Sequence, residues 1–392
     1  MISILSLLFS LFFSVHALVP PASTGTPPAP PASTPPVPPS EHKYWTWQNT
    51  RTRYQYAPSP STPPKASIVC VHGFGGNADH WRRNAGPLSS AGYDVYSIDL
   101  LGFGYSTKRL PDDFSNGEDG RDFEELKRTW SDDLNGRSFT EMTHPTGSSF
   151  NFYTWGEQLN DFHREVVEKS TRAAGEKQVV PRFLVANSIG SSAVLQATID
   201  ALSSQEMIQV PDGVVLLNPS LRGLNFKRFP SIFKAPLTLF QKLLRTETVG
   251  EALFSAIANR RAVSNVLREA YADSQQVSDE LVSCILNPGL EEGAREVFLD
   301  FISYSGGPLV EEQLKIVSNS RTTKSKACVK IGWGEKDPWE NPALGASLFR
   351  NFDCVVGDVE LFPGVGHCSQ DEAPEIVNSF VLKFLDHIVS AA

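Results

Sequence analysis

No charged residue occurs from Pro20 to Ser40, and no Lys or Arg stands ahead of that stretch. A segment built from Pro, Ala, Ser and Thr in this way cannot bury enough apolar surface to fold, so an extended, polyproline-II-like linker is expected. Before it, Ile2 to Val15 is strongly apolar yet too short to span a bilayer comfortably. Val15-His16-Ala17 offers small residues where a signal peptidase cuts, so 1–17 reads as a signal peptide and 18–42 as a disordered transit or linker segment. Cysteine is scarce and odd in number: Cys70, Cys284, Cys328, Cys354 and Cys368. Cys70 and Cys328 fall in apolar, strand-like runs, which points to small buried hydrophobes instead of a disulfide framework. No spacing suggests a metal site, and no cofactor is expected. No Asn-x-Ser/Thr sequon is present, since Asn218-Pro219-Ser220 is blocked by its proline. With 20% charged residues and a net charge of −9, the balance argues against a nucleic-acid partner.

What is present centres on residues 182–191, Arg-Phe-Leu-Val-Ala-Asn-Ser-Ile-Gly-Ser. An apolar run from Phe183 to Ala186 passes through Asn187-Ser188-Ile189 directly into Gly190-Ser191-Ser192-Ala193-Val194-Leu195. That reads as strand, tight turn and helix, with Ser188 at the apex. A sharp strand-to-helix turn exposes a hydroxyl above a sheet and aims the following N–H groups at whatever it attacks. Ala186 and Ser191 stand where glycines are usual, but both are small. Taken alone, Ser188 also fits an ordinary helix cap.

A serine hydroxyl needs a base to take its proton and an acid to orient that base. Downstream, Cys328–Gly334 reads as a buried strand that breaks into Glu335-Lys336-Asp337-Pro338-Trp339. Asp337 sits just past the strand, where an orienting carboxylate belongs; Glu335, nearer the strand end, is the rival acid. Leu361-Phe362-Pro363-Gly364-Val365-Gly366-His367 then gives a short strand, a glycine-rich loop and a histidine. A lone Asp-Pro is ordinarily a turn starter, and a lone loop histidine is ordinarily solvated. Three residues in this order, each after its own strand, are harder to obtain by chance. The order Ser188, Asp337, His367 is that of the α/β-hydrolase fold, not of chymotrypsin-like or subtilisin-like proteases. Ser67–Val71 also runs as a strand into His72-Gly73-Phe74-Gly75-Gly76-Asn77. Such a loop supplies half of an oxyanion hole, with the Phe74 and Ile189 N–H groups as the two donors. A phosphate loop is disfavoured, because no Lys-Ser/Thr follows and the G-x-G-x-x-G spacing is absent. His72 is expected to be structural. Cys368, beside His367, is either a reactive bystander or a packing residue.

The remaining pattern alternates strands and helices. Lys43–Gln48 and Arg53–Ala57 form an expected hairpin, Val95–Leu100 and Gly213–Asn218 further strands, and Val359–Phe362 the last. A helical stripe of Trp155, Leu159, Phe162, Val166 and Val167 predicts a helix over Thr154–Ala174, and a final helix runs from Pro374 to about Val389. The expected fold is therefore a mostly parallel sheet covered by helices on both faces, with its ligand at the strands' carboxyl ends. Residues 43–220 and 322–392 form the core. Residues 108–149 read as a mobile acidic insertion, for which an electrostatic docking role is the alternative. Residues 221–321 read as a helical lid, where Phe226, Phe229, Ile232, Phe233, Leu237, Phe240 and Leu244 recur densely. Apolar side chains in excess of that lid's own small core would make a pocket for a hydrophobic group.

Several segments carry a family likeness: Val71–Gly75, Ala78-Asp79-His80-Trp81-Arg82, Ser97–Ser106, Thr154–Leu159, Trp333–Trp339 and Gly366-His367. In these the chain resembles the lidded α/β-hydrolases of plant and algal plastids, the group that includes pheophytinase and the chlorophyll dephytylases. The likeness runs from about Tyr44 to the C-terminus, apart from the acidic insertion. It implies a serine ester hydrolase with Ser188, Asp337 and His367 as catalytic residues, and it suggests the phytyl ester of a chlorophyll pigment as substrate. Val15-His16-Ala17-Leu18-Val19-Pro20 is likewise similar to the bipartite plastid presequence of algae with secondary plastids, which implies plastid delivery; secretion is the alternative. The expected partner is a small hydrophobic ester, with peripheral membrane association left open. Two other functions stay in view: a C–C bond hydrolase using the same three residues, and a ligand receptor that keeps the fold. Haloalkane and epoxide chemistry is disfavoured, because those enzymes need a carboxylate where Ser188 stands.

Overall fold

Gln48 and Asn49 both take positive φ (45° and 57°), and this two-residue turn joins β1 (Lys43–Trp47) to β2 (Thr50–Ala57). Its twist matches that of the paired strands, so β2 starts three residues before the expected Arg53. The computed structural model describes residues 42–112, 114, 147–173, 180–204, 208–223, 225–228, 234–320 and 327–391. The expected signal and transit segments and most of the expected acidic insertion lie outside the described residues, as do Phe229, Ile232 and Phe233.

Six further strands complete one sheet: β3 (Ser67–Val71), β4 (Asp94–Ile98), β5 (Arg182–Asn187), β6 (Gly213–Leu217), β7 (Cys328–Gly334) and β8 (Glu360–Phe362). The order is β1-β2-β4-β3-β5-β6-β7-β8, antiparallel only at the two β2 pairings and parallel elsewhere. Every residue of β3, β4, β5 and β6 is buried, as expected of parallel strands covered on both faces. Alternate residues feed two cores. Val69, Val71, Leu184, Ala186, Val214 and Leu216 join one, and Ile68, Cys70, Phe183, Val185, Val215 and Leu217 the other. Each fully buried aliphatic side chain contributes roughly 1.5–3 kcal/mol.

Around this sheet lie α1 (Ala85–Ser90), α2 (Phe152–Phe162), α3 (Glu168–Ala173) and α4 (Gly190–Ser203). The helix expected over Thr154–Ala174 starts earlier, because Asn151 caps it by accepting from the Tyr153 and Thr154 N–H groups. A π-turn at His163–Val167 separates α2 from α3. Five helices follow β6: α5 (Lys234–Leu244), α6 (Glu247–Ile257), α7 (Arg260–Ala270), α8 (Asp279–Gly289) and α9 (Ala294–Ile302). On α5, Leu239, Phe240 and Leu243 are exposed while Leu244 is buried beside Leu299 and Ile302, so the dense apolar pattern does not all turn inward.

One expected boundary moves. The helix α10 (Val310–Asn319) lies inside the predicted 221–321 segment, yet its Val310, Leu314 and Val317 stripe belongs to the main core. Gln313 Nε2 donates to the Ser192 carbonyl of α4 at 2.9 Å, so α10 covers the sheet. Lys108, expected at the start of a mobile insertion, is buried, and its ammonium pairs with Glu291 at 2.7 Å. The C-terminal elements α11 (Pro342–Phe349), α12 (Ser369–Glu372) and α13 (Pro374–Ala391) close the fold, the last packing Val377, Phe380, Val381 and Phe384 into the second core.

Candidate active site

At the end of β5 the chain turns at Ser188, held at φ 56°, a left-handed conformation costly for a residue with a Cβ. Neighbouring backbone holds it there. The Ser188 N–H donates to the Leu217 carbonyl of β6 at 3.0 Å, and its carbonyl accepts from the Ser191 and Ser220 N–H groups at 3.0 and 3.3 Å. The turn needs a glycine at Gly190, where a Cβ would stand 2.6 Å from the His72 carbonyl oxygen. Gly73 faces the serine so closely that a Cβ there would lie 2.9 Å from the Ser188 Cβ. Ala186 and Ser191 are fully buried in the positions where glycines are usual, so this turn accommodates both.

His367 and Asp337 meet. Their Nδ1 and Oδ2 atoms are 2.8 Å apart, and because a carboxylate only accepts, the imidazole proton sits on Nδ1 and Nε2 is left as the basic nitrogen. Asp337 is held by four further donors: Asn218 Nδ2 (2.8 Å) and Trp333 Nε1 (3.1 Å) on Oδ2, and the Trp339 and Glu340 N–H groups (2.9 and 3.0 Å) on Oδ1. Glu335, the rival acid, lies on the surface and accepts from the Gly364 N–H at 3.1 Å. The histidine loop is tied to the serine's strand, since Asn187 Nδ2 donates to the His367 carbonyl at 3.1 Å. It is tied to α7 as well, through the His367 N–H and the Ala270 carbonyl at 2.8 Å. The Trp339 ring lies 4.9 Å from the imidazole, centroid to centroid.

His72 is structural, as expected. Its Nε2 accepts from the Leu100 N–H at 3.1 Å and its Nδ1 lies 2.7 Å from the Gly73 carbonyl, so it pins the glycine loop to the end of β4. Burial lowers its pKa and keeps the ring neutral. The Phe74 side chain stacks on Phe301 of α9 at 4.4 Å and 18°. Beneath the loop, the buried Arg53 guanidinium bridges Asp79 (3.0 Å) and Asp99 (3.5 Å). Asp99 in turn accepts from the Ala78 and Tyr105 N–H groups at 2.6 and 2.7 Å. Cys368 is buried against Trp339 and Leu267, and burial pushes its thiol well above the ordinary range, so it packs and is not a thiolate. All five cysteines are free thiols.

Ser188, His367 and the loop Gly73–Gly76 share the wall of a cavity of about 200 Å³. Its other walls are apolar and come largely from α6 to α9, including Phe254, Val263, Val266, Leu267, Ile285 and Phe298. The arrangement combines a strained hydroxyl, an oriented imidazole and backbone donors beside a hydrophobic chamber, which is what acyl transfer from an apolar ester requires. No cluster of His, Cys, Asp and Glu suited to a metal ion is found among the described residues.

Sequence reasoning missed three residues here. Asn218, at φ 47°, donates to Asp337 and to the Gly366 carbonyl (3.2 Å) and so joins the acid and histidine loops. Glu340 is fully buried and accepts from Ser220 Oγ at 2.7 Å, and burial, then the neighbouring Asp337 charge, pushes its pKa well above the usual carboxylate range. His80 lies in the cavity wall. The sequence signals were an Asn at the end of a predicted strand for Asn218 and, for His80, its place in the Ala78–Arg82 segment that carries the family likeness; Glu340 had none.

The sequence pattern of the alpha/beta hydrolase family matches residues 68–380. Among characterised proteins, the chain is 24% identical over 363 residues to chloroplastic pheophytinase of Arabidopsis thaliana, covering 89% of this chain and 67% of that one. Among solved structures it resembles a membrane phospholipase A, with a TM-score of 0.54 and 18% identity over 89% of this chain and 87% of the other. A meta-cleavage product hydrolase from Pseudomonas fluorescens IP01 is similar at TM-score 0.54 and 16% identity, over 88% of this chain and 97% of the other. At such identities the structural likenesses establish the fold and do not select a substrate.

Proposed function

The chain belongs to the alpha/beta hydrolase family, and we propose that it is a serine hydrolase cleaving carboxylic esters of a hydrophobic substrate. The observation that carries this reading is His367, paired with Asp337 at 2.8 Å, on the same apolar cavity wall as a Ser188 strained into the left-handed region. His367 Nε2 takes the Ser188 proton as the hydroxyl attacks the ester carbonyl. Asp337 stabilises the imidazolium that forms, and the Phe74 and Ile189 N–H groups receive the negative charge on the tetrahedral oxygen. In other hydrolases such a donor is worth about 3 kcal/mol. Collapse expels the alcohol, protonated by His367, and a water activated by the same imidazole releases the acid.

The apolar cavity supports a substrate with a long or flat hydrocarbon arm, and similarity to a chloroplastic pheophytinase supports a phytyl ester of a chlorophyll pigment as the first substrate to try. In the test, Ser188→Ala abolishes both fluorophosphonate labelling and turnover of lipophilic esters while the melting temperature stays unchanged. Ester turnover that survives the substitution would place the nucleophile elsewhere. A protein that labels well but ignores every simple ester would point to carbon–carbon bond hydrolysis.

A further inference from the structure

The backbone that carries His367 is held from two sides. From the sheet, Asn187 Nδ2 donates to the His367 carbonyl at 3.1 Å and Asn218 Nδ2 to the Gly366 carbonyl at 3.2 Å. From the end of α7, the Ala270 carbonyl accepts the His367 N–H at 2.8 Å. The two segments touch closely, since a Cβ on Gly366 would stand 2.3 Å from the Ala270 oxygen and 2.7 Å from the Ala272 nitrogen. One side chain bridges them. Glu372 of α12, 5% exposed, accepts the Gly366 N–H on Oε2 at 2.7 Å and the Asp273 N–H on Oε1 at 3.0 Å. A carboxylate suits this place because both of its oxygens accept and neither donates, whereas an amide of the same length turns a donor toward one of the two N–H groups.

The helix reached by this bridge has a second task. Ala262, Val263, Val266, Leu267 and Ala270 of α7 line the cavity that also holds Ser188 and His367. One element therefore walls the chamber and supports the imidazole. Glu372 is not among the residues that line the cavity, so it stands behind the site and not in it. Next to the bridge, Tyr271 Oη donates to Asp371 at 2.6 Å, and Asp371 pairs with Arg82 at 2.7 Å. That bond ties the same end of α7 to the core without touching Gly366.

We propose that Glu372 is a positioning residue for His367: by joining the Gly366 N–H to the Asp273 N–H, it sets the imidazole against Ser188 and makes that placement depend on the end of α7. This rests on the serine-esterase reading, in which His367 is the base. Glu372 meets neither substrate nor reacting atoms and moves no proton. It acts on geometry alone, and proton transfer between Ser188, the imidazole and the leaving alcohol tolerates little displacement.

The test uses the full chain with p-nitrophenyl acetate and p-nitrophenyl dodecanoate, and takes kcat per active site labelled by a fluorophosphonate, so unfolded protein drops out. In Glu372→Gln, kcat should fall by roughly ten- to hundredfold on both esters, with KM within about twofold. Glu372→Asp keeps the charge but is one methylene too short to span both donors, so it should show the same split, and it serves if the amide does not fold. Tyr271→Phe breaks the neighbouring tie and should leave kcat near the wild-type value. A kcat unchanged in both Glu372 variants, an equal fall in Tyr271→Phe, or a loss confined to KM for the dodecanoate overturns the positioning role. Ester turnover in the wild type together with any of these keeps the esterase reading and removes only Glu372. Should the wild type turn over no ester, the esterase reading falls, and the low-field proton resonance of His367 Nδ1 decides on Glu372 alone. Its shift or loss in Glu372→Gln but not in Tyr271→Phe keeps the positioning role. A resonance unchanged in Glu372→Gln, equally altered in Tyr271→Phe, or absent from the wild type overturns it.

Discussion

Asp337 is the residue whose surroundings most constrain its chemistry. Five donors converge on its two oxygens, His367 among them. Asp337→Asn would turn an acceptor edge into a donor, oppose the Nδ1 proton and favour the wrong imidazole tautomer. The expected outcome is a fall in kcat of about 10³- to 10⁴-fold with the fold intact. Glu335→Gln, at a surface position bonded only to the Gly364 N–H among the bonds described, should leave kcat within about twofold. Steady-state kinetics on the pair decide between the two acids, and the reverse ranking would mean that His367 is oriented by another group. Ser188, Asp337 and His367 stood out as candidates in the sequence because each follows its own strand, and the structure pairs the last two. Asn218 and Glu340 did not, because their partners lie 119 residues away for Asn218–Asp337 and 120 for Glu340–Ser220. Nothing local in the chain marks such contacts.

Among the elements, α9 packs against the Phe74 side of the candidate site. Its Phe301 stacks on Phe74 at 4.4 Å, and Phe298 lies 5.8 Å from the same ring. The carrier of a proposed N–H donor is thus gripped by a helix that arrives more than 200 residues later. Phe301→Ala removes the stack from a partly buried position and should cost about 2 kcal/mol of stability. Because the Phe74 backbone loses its clamp, kcat should fall by about tenfold while KM changes less. Denaturant melts and kinetics on the same preparation check both numbers. Lost stability with kcat untouched would show that the stack holds the helix without aiming the donor. The sequence exposed the helices of this region through their apolar periodicity, but periodicity does not say what a stripe packs against. Thus α10, with Val310, Leu314 and Val317 on one face, reads like its neighbours and yet belongs to the core of the sheet. The hairpin was placed well apart from its turn, because Gln48-Asn49 lacks the glycine that usually marks left-handed pairs.

Taken as a whole, the molecule buries several neutral imidazoles, and its stability must respond to acid. His72, His80 and His163 all have lowered pKa values, with desolvation the largest cause in each case. A lowered folded pKa means that the unfolded chain binds more protons between the two values, so stability falls as pH falls through that window. For His80 the window runs from the ordinary 6.5 down to about 4, and the titratable and charged groups facing it are Asp371, Arg82, His72 and Asp79. The shift corresponds to about 3 kcal/mol at most. His80→Leu should therefore flatten the loss of melting temperature between pH 6.5 and pH 4 without abolishing it, since the other two rings remain. An unchanged acid slope in the variant would mean that His80 is not buried as a neutral ring. Glu340 acts in the opposite sense. Its raised pKa makes the folded state the better proton binder, and that contribution is lost as pH rises from 4.5 upward. The sheet itself was readable from its β-branched runs, whereas these opposing titrations depend on burial, which only the assembled fold determines.

The serine turn also has a temporal meaning. Ser188 comes near the middle of the polypeptide, while Asp337 and His367 come in its last fifth or so. A chain halted between Ser188 and Gly334 would carry the hydroxyl with neither the proposed base nor the proposed acid, so a ribosome handling the growing polymer would meet an unarmed protein.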